Sequence, residues 1–233
     1  MSNIDYLPVP LYLNTLVCTD ARYSTEMIDR KTQIYCKTMH GVNSELNFEN
    51  SGNFKGDLNE GYATGKGEYR FEDGAVYSGY FDHNKATGQG KLTVASTSKC
   101  MYPSTYIGSF TRGLRDGYGK YELPLNGFVY EGEFKEGRIQ GEAFVTYKNG
   151  SEYKGQVFNG LRHGKGKIVY KSGNYYEGQW REGVKEGQGS MYWLDRNEIV
   201  SFFYHSTRVN GKIISLKVGD VSTTFIKTEE IRI

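Results

Sequence analysis

The sequence is poor in proline and cysteine and has no long apolar run, and each shortage excludes a class of protein. Only 4 of the 233 residues are proline, and the glycines do not recur at every third position, which excludes collagen. The three cysteines, Cys18, Cys36 and Cys100, are odd in number and widely spaced, so we interpret them as free thiols in a reducing compartment. The apolar stretch Tyr6–Val17 is too short to span a bilayer and lacks a basic leader, so we predict neither a transmembrane helix nor a signal peptide.

Charge of one sign and catalytic motifs are lacking as well. Lys and Arg total 29 against 27 Asp and Glu, and this net charge of +2 gives no reason to expect nucleic-acid binding. The 4 histidines are scattered and form no cluster at metal-ligand spacing. The stretch Gly160–Lys167 (GLRHGKGK) imitates a phosphate loop, but its glycines are one residue too close and no Ser or Thr follows the lysine. We therefore predict no enzyme, no cofactor and no metal site.

Glycine and aromatic residues are abundant instead. The chain has 30 glycines, about twice the usual frequency, together with 20 tyrosines and 12 phenylalanines. Of the glycines, 27 lie between Gly52 and Gly189. Many aromatics combined with many turn residues favour β-structure over a disordered glycine-rich tail.

The glycines belong to a repeat that is led by an aromatic residue. The spacing between successive leads is 23, 29, 24, 23 and 23 residues, and the long gap contains an insertion at residues 95–105. Such a period is typical of stacked supersecondary units. The six lead residues are Phe54, Tyr77, Tyr106, Tyr130, Tyr153 and Tyr176.

The residues after each lead alternate between two kinds, as in a strand with one distinct face. Two residues after the lead stands a glycine in every repeat, and four residues after it stands Leu58, Phe81, Phe110, Phe134, Val157 or Trp180. The seventh offset is glycine in five repeats and Asn84 in the other, and asparagine is the residue that best replaces glycine at positive φ. The seventh offset is therefore predicted to be a left-handed turn position.

A second strand follows in each repeat. Glycines stand at the eleventh and thirteenth offsets (Gly141 with Ala143 in the fourth repeat), and two large residues follow them at alternate positions. Several repeats then close with Asp-Gly, Asn-Gly or Ser-Gly, which are hairpin turn signals. Each repeat is thus predicted to be a β-hairpin in an antiparallel meander, with large rings shielding the bare glycine positions of a neighbouring strand. The register is not determined by the sequence.

The offsets resemble the MORN (membrane occupation and recognition nexus) repeat, Y-x-G-x-W-x-x-G-x-x-x-G-x-G, which Tyr176–Gly189 fits at every position. The resemblance runs from about Phe54 to Gly211 and implies a curved, twisted, single-layer sheet with an aromatic-lined concave face. Together with the hairpin pattern it predicts an all-β fold, an elongated antiparallel sheet of consecutive hairpins. Fourteen strands at ~4.8 Å spacing would extend over roughly 65 Å.

Three segments are predicted along the chain. Residues 1–53 form an N-terminal arm and capping segment, in which a short helix and a strand both remain open for residues 24–37. Residues 54–199 hold six repeats, and residues 200–233 hold a degenerate seventh repeat with a C-terminal cap. We expect KIISLKV and STTFIK, in this last segment, to form further strands.

The aromatic stripe has two interpretations. In one, the rings only hold the sheet together; in the other, part of the same face stays exposed because a single-layer sheet has no second layer, and it receives a partner. The second interpretation places an extended or helical partner segment across the third to sixth repeats, with Trp180 as the main anchor and Glu131 on the opposite face. The predicted partner-binding residues are Tyr106, Phe110, Tyr130, Phe134, Tyr153, Val157, Tyr176 and Trp180.

Three functions are compatible with these features. MORN proteins are similar in serving as scaffold or targeting modules, so the resemblance implies a non-catalytic scaffold of a cytoskeletal assembly, ciliary or flagellar (axonemal), that binds a protein segment in the cytoplasm. The first alternative is a membrane-surface adaptor for anionic phospholipid, although the repeats mix charges where a lipid-binding surface would cluster Lys and Arg. The second alternative is a regulatory module of an enzyme complex.

Overall fold

The part of the chain that the computed structural model describes folds almost entirely into β-strands. The structure describes the backbone of residues 41–48, 52–96, 102–195, 198–209 and 212–225, and the side chains of residues 52–96, 102–195 and 198–201. No α-helix occurs among these residues, and one short 3-10 turn covers Pro124–Asn126. The arm predicted before residue 41, the residues 24–37 within it, and Gly211 lie outside the described residues.

Fifteen strands make up the described part of the chain, and consecutive strands from β2 onward pair into the predicted hairpins. They are β1 Gly41–Phe48, β2 Gly52–Asn59, β3 Tyr62–Phe71, β4 Val76–Asp82, β5 Lys85–Val94, β6 Ser104–Thr111, β7 Leu114–Leu123, β8 Phe128–Lys135, β9 Arg138–Thr146, β10 Glu152–Phe158, β11 Leu161–Val169, β12 Tyr175–Arg181, β13 Val184–Trp193, β14 Glu198–Val209 and β15 Lys212–Phe225.

The strands are hydrogen-bonded in sequence order in one antiparallel sheet, so the predicted all-β meander is confirmed. The count exceeds the expected fourteen because β1 precedes the first repeat and pairs with β2. The two strands expected after the seventh repeat are wrong, because β15 runs through both segments without a break. The described residues belong to two compact units that divide between Gln140 and Gly141. We refer to them as the first unit (before residue 141) and the second unit (after residue 140).

The turn at the seventh offset is left-handed in all six repeats between residues 54 and 195, as predicted. The residue before that position is also left-handed, with φ between 47° and 52°, which is the pair of positive φ angles of a type I′ turn. The sequence did not predict this second left-handed position, because residues such as Glu60 and Asn159 occupy it instead of glycine. At the seventh offset, φ is 76° at Gly61, 66° at Asn84, 83° at Gly113, 80° at Gly137, 76° at Gly160 and 84° at Gly183.

The turns also join neighbouring repeats. In four repeats, the backbone N–H at the seventh offset donates to a carbonyl at the ninth offset of the preceding repeat, for example from Gly113 to Ala86 at 2.8 Å and from Gly183 to Arg162 at 2.9 Å. Asn84 adds a side-chain bond, because its Oδ1 accepts from the Ala63 N–H at 2.7 Å. These four hairpins are thus fixed to the preceding one at the end of the strands.

We expect Gly160→Val to lower the melting temperature more than Asn84→Gly. Valine at φ 76° is strained by about 1–3 kcal/mol. Asn84→Gly keeps the turn accessible and loses the bond to Ala63, about 1 kcal/mol. Thermal unfolding followed by circular dichroism measures both. Equal melting temperatures would contradict the strain that we assign to the seventh offset.

The eleventh-offset glycine is a bulge residue rather than the flat strand position that the alternation predicted. The register within the hairpin slips beside it, as between Gly79 and Tyr80 of β4, and φ is 60° at Gly88. Side chains cap the bulge: Gln156 Oε1 accepts from the Lys165 N–H at 3.1 Å. A positive φ within a bulge explains why glycine recurs there.

The other glycines align into a stripe across the strands. In the first unit, paired neighbours form one row made only of glycine: Gly56, Gly67, Gly79, Gly90, Gly108, Gly119 and Gly132. The lead ring of each hairpin lies over a pair of them. Tyr77 covers Gly79 of its own strand and Gly90 of the next, where an added Cβ would lie 2.5 and 2.6 Å from the Tyr77 hydroxyl. The predicted shielding is confirmed, and it includes the lead residue's own strand.

Candidate functional site

The eight predicted partner-binding residues lie on the face that carries the lead rings and the glycine stripe, which we call the aromatic face. All eight are buried, with exposed fractions between 0% and 6%. Any part of this face that is exposed, as the sequence predicted, therefore lies outside these eight side chains. Each ring is covered by its neighbours on the same face, and whether a partner binds there stays a prediction.

In the first unit, the rings form a zigzag of edge-to-face contacts. The lead ring of one hairpin touches the fourth-offset ring of its own strand and that of the next hairpin. Tyr106, for example, is 5.1 Å from Phe110 and 4.9 Å from Phe134, centroid to centroid, and Phe134 is 5.2 Å from Tyr130. Such pairs add about 0.5–1.5 kcal/mol each beyond their buried area.

Each lead tyrosine is also fixed through its hydroxyl. The Oη atoms donate to the carbonyl three residues further on: Tyr106 to Ser109 at 2.9 Å, Tyr130 to Glu133 at 2.7 Å and Tyr153 to Gln156 at 2.7 Å. These bonds hold the rings flat over the glycines. Burial raises the pKa of Tyr106 to about 12, and it also raises the pKa of Tyr130 and Tyr153.

In the second unit, Trp180 takes the place of the fourth-offset phenylalanine. Its ring lies edge-on to Tyr153 and Tyr176, with centroids 5.7 and 5.1 Å away. Its Nε1 donates to the Gly166 carbonyl at 3.0 Å, so the indole is held by both contacts and a hydrogen bond. The structure thus brings Tyr153, Tyr176 and Trp180 together, as predicted.

Two buried arginines at the ninth offset were not recognised from the sequence. Arg115 and Arg162 are 5% and 8% exposed, and each donates through Nη2 to the carbonyl of the next repeat's turn glycine, Gly137 or Gly183, at 2.9 Å. Their guanidinium groups lie against aromatic rings, with Arg115 5.0 Å from the centroid of Phe134. The sequence did contain a signal: these arginines stand at the offset that holds Ala63 and Ala86 in two other repeats. Alternation of residue types alone, however, does not show that a charged side chain is buried.

Arg162 lies against two rings of the second unit. Its Cζ lies 4.0 Å from the Trp180 ring and 6.0 Å from the Tyr153 ring, and its Nε is buried without a hydrogen-bond partner. Burial lowers the pKa of this guanidinium, while Tyr147, Tyr170 and Tyr153 act in the opposite direction. Since an arginine remains charged at neutral pH, the aromatic face of the second unit has a fixed positive charge.

The opposite face is polar and of mixed charge. Lys120 Nζ contacts Glu122 at 2.8 Å and Glu131 at 3.5 Å, and these side chains are about 40% exposed. Exposed pairs of this kind stabilise a fold by less than about 1 kcal/mol. This face is solvated, and its exposed apolar residues Ile107 and Tyr118 are isolated from one another.

Two absences bear on the chemistry of the site. Among the residues that the structure describes, no helix is both long and apolar enough to cross a membrane. Within the same residues, no group of three or more His, Cys, Asp or Glu side chains is placed to hold a metal ion. The arrangement on the aromatic face is suited to contact and recognition, through rings, backbone and a few cations.

Comparison with known families supports the repeat boundaries. The MORN repeat family matches this chain six times, and together the matches cover more than half of it. The matched residues are 54–76, 77–96, 106–124, 130–152, 153–175 and 176–197.

Individual relatives match a shorter part of the chain. Alsin from Rattus norvegicus and Alsin from Homo sapiens are each 32% identical to it over 104 residues, 45% of this chain. The chain spans about 6% of the length of these curated relatives. Among solved structures, Kluyvelomyces marxianus Hsv2 aligns with 68% of this chain and 82% of its own at 7% identity and a TM-score of 0.22, a similarity too low to support an argument.

Proposed function

Because this chain belongs to the MORN repeat family, we propose that it is a non-catalytic scaffold that binds a protein segment along its aromatic face. MORN repeats serve as modules that bind proteins or membranes. The observation that carries the proposal is the repetition of one surface, in which successive hairpins present the same rings and glycines at the same offsets. Repeated equivalent surfaces suit a long partner better than a small substrate.

We propose further that the partner is a component of a cytoskeletal, ciliary or flagellar (axonemal) assembly. This part rests on the resemblance to MORN proteins of such assemblies. Affinity capture from the native cell, with the full chain as bait and mass spectrometry of the bound fraction, tests it. Tubulin and ciliary proteins among the captured species would support the assembly, and other captured proteins would keep the scaffold but reject this location.

The proposed contact surface lies over the rows of rings, which are themselves buried, so a partner must displace or rearrange them to reach their faces. We expect Trp180→Leu to fold, because Leu58 occupies the same offset in the first repeat. It should still weaken partner capture by about tenfold or more, as truncation of a central aromatic residue does. It also loses the bond to the Gly166 carbonyl, so capture is to be measured well below the melting temperature.

The matched control is Glu131→Ala on the opposite face, which is held only by the exposed contact to Lys120. It should bind like the unaltered chain. Normal capture by Trp180→Leu together with abolished capture by Glu131→Ala would place the partner on the opposite face.

The alternative function is a membrane-surface adaptor, and one arrangement on the opposite face of the second unit favours it. Lys154 and Lys167 stand directly opposite each other on β10 and β11, and the exposed Phe144 is paired with Lys154 on the other side. Neighbouring lysines beside an exposed ring are suited to anionic headgroups. Lipid recovered from the native cell without any protein would favour this function over the scaffold.

A further inference from the structure

We propose that the aromatic face of the second unit binds an acidic peptide segment whose carboxylates pair with Arg162 and Lys185. The proposal rests on the proposed scaffold function and specifies the chemistry of the partner.

The first argument is the distribution of charge between the two faces of β10–β13. Arg162 and Lys185 lie on the aromatic face, where Arg162 contacts Trp180 and Lys185 Nζ lies 4.7 Å from the Tyr176 ring. The carboxylates of these four strands occupy positions that alternate onto the opposite face. They are Glu152, Glu177 and Glu186.

The second argument is the state of Arg162. It is 8% exposed, Nη2 is bonded to the Gly183 carbonyl, and Nε is buried without a partner. A buried donor without an acceptor is destabilising, so an acceptor supplied to this guanidinium is favourable. The planar fork of arginine matches a carboxylate well, and the low local dielectric strengthens the pair.

The third argument is the spacing of the two cations. Lys185 is directly opposite Trp180 on β12, and Arg162 lies on β11, so two strand spacings, about 9.6 Å, separate their positions. Three residues of a polyproline II segment span about 9.3 Å and return the side chain to the same face. A segment in this conformation laid across the strands therefore fits if it has acidic residues three positions apart.

The occupant is a peptide rather than a membrane because the guanidinium is recessed among rings. A lipid surface binds exposed clusters of Lys and Arg, and a planar bilayer does not reach a side chain that is 92% covered (exposed fraction 8%). Pairing with a peptide carboxylate requires the Tyr153 and Trp180 rings, which are 0% and 4% exposed, to move apart over the guanidinium.

The test measures binding of a short fluorescent oligoglutamate to the full chain by anisotropy, with an oligolysine of equal length as the reversed-charge probe. We expect oligoglutamate alone to bind, and its affinity to fall as salt rises from about 0.1 to about 1 M. Arg162→Met should weaken binding by about tenfold, because one charged contact is lost. Lys148→Met, in an exposed turn of the same unit, should change the affinity by less than about twofold.

Two further variants separate charge from folding. Arg162→Lys retains the charge and should bind better than Arg162→Met, whatever its stability by circular dichroism. Lys185→Met should also weaken binding, and it remains informative if Arg162→Met does not fold. The proposal is overturned if oligoglutamate does not bind, or if the two methionine variants on the aromatic face bind it as well as Lys148→Met does. It is also overturned if phosphatidylserine vesicles or a second copy of the chain occupy the face instead.

Failure of this inference is distinguishable from failure of the scaffold function. If native affinity capture recovers a protein partner and Arg162→Met still binds it, acidic residues of the partner are not what the chain recognises. The scaffold function then stands. If no protein is captured at all, the scaffold function fails.

Discussion

Raising the pH from about 10 to about 12 should unfold the sheet cooperatively, because the buried lead tyrosines ionise only at a cost. Burial raises the pKa of Tyr69 and Tyr106 to about 12, and it raises the pKa of Tyr77, Tyr130 and Tyr153 as well. Below about pH 10 these phenols are protonated in both the folded and the unfolded chain. Above about pH 10 the unfolded chain releases protons that the folded chain retains, so stability falls as pH rises through the folded pKa.

The measurement is a parallel titration of tyrosinate absorbance and of β-sheet circular dichroism. The two signals should change together, and Tyr106→Phe should reduce the loss of stability between about pH 10 and pH 12. Tyr118→Phe is the control, because the ring of Tyr118 is 63% exposed. Gradual ionisation with an intact sheet would show that the lead rings are accessible to solvent and that their burial is wrong.

Gly90→Ala should destabilise the first unit by about 3 kcal/mol through overpacking. An added Cβ would lie 2.6 Å from the Tyr77 hydroxyl and 2.7 and 2.8 Å from two of its ring carbons. The ring has little freedom to move, because Oη donates to the Tyr80 carbonyl at 2.9 Å and Phe81 lies edge-on 5.1 Å away. The matched control is Gly137→Ala, where φ is 80° but nothing lies within 4 Å, so only about 1 kcal/mol of backbone strain is expected.

A double-mutant cycle isolates the clash in Gly90→Ala. In a Tyr77→Leu background the methyl group meets no ring, so Gly90→Ala should cost less there, with a coupling of about 1–3 kcal/mol. Chemical denaturation of the four chains supplies the free energies of unfolding. Additive costs would mean that the ring does not cover Gly90.

Much of the fold follows from spacing alone. Period-two alternation after each lead residue gives the strands, and the exchange of glycine for asparagine at residue 84 identifies the left-handed turn without any structure. The bulge at Gly88 was not predictable, because a glycine at positive φ and a glycine beneath a ring look the same in a sequence. The register removes the ambiguity, since only the thirteenth-offset glycine aligns with its neighbours across the strands.

The site was predicted less completely than the fold. Alternation placed Tyr106, Phe110, Tyr130 and Phe134 on one face, but it does not tell that their rings touch or how completely they cover one another. Arg115 and Arg162 were missed for a related reason. A charged side chain at an inward position becomes explicable only when the facing rings and the next repeat's turn carbonyl are known.

The bonds between turns have a mechanical consequence. Consecutive hairpins are joined by strand pairing, and four of them also by one bond at the turn, such as that from Gly113 to Ala86. These connections follow one another in series along the chain. Tension applied along the chain would load one hairpin at a time, peeling its hydrogen bonds singly instead of shearing many together. Within a unit, the protein should therefore yield in small steps at low force and recover each step by local re-pairing.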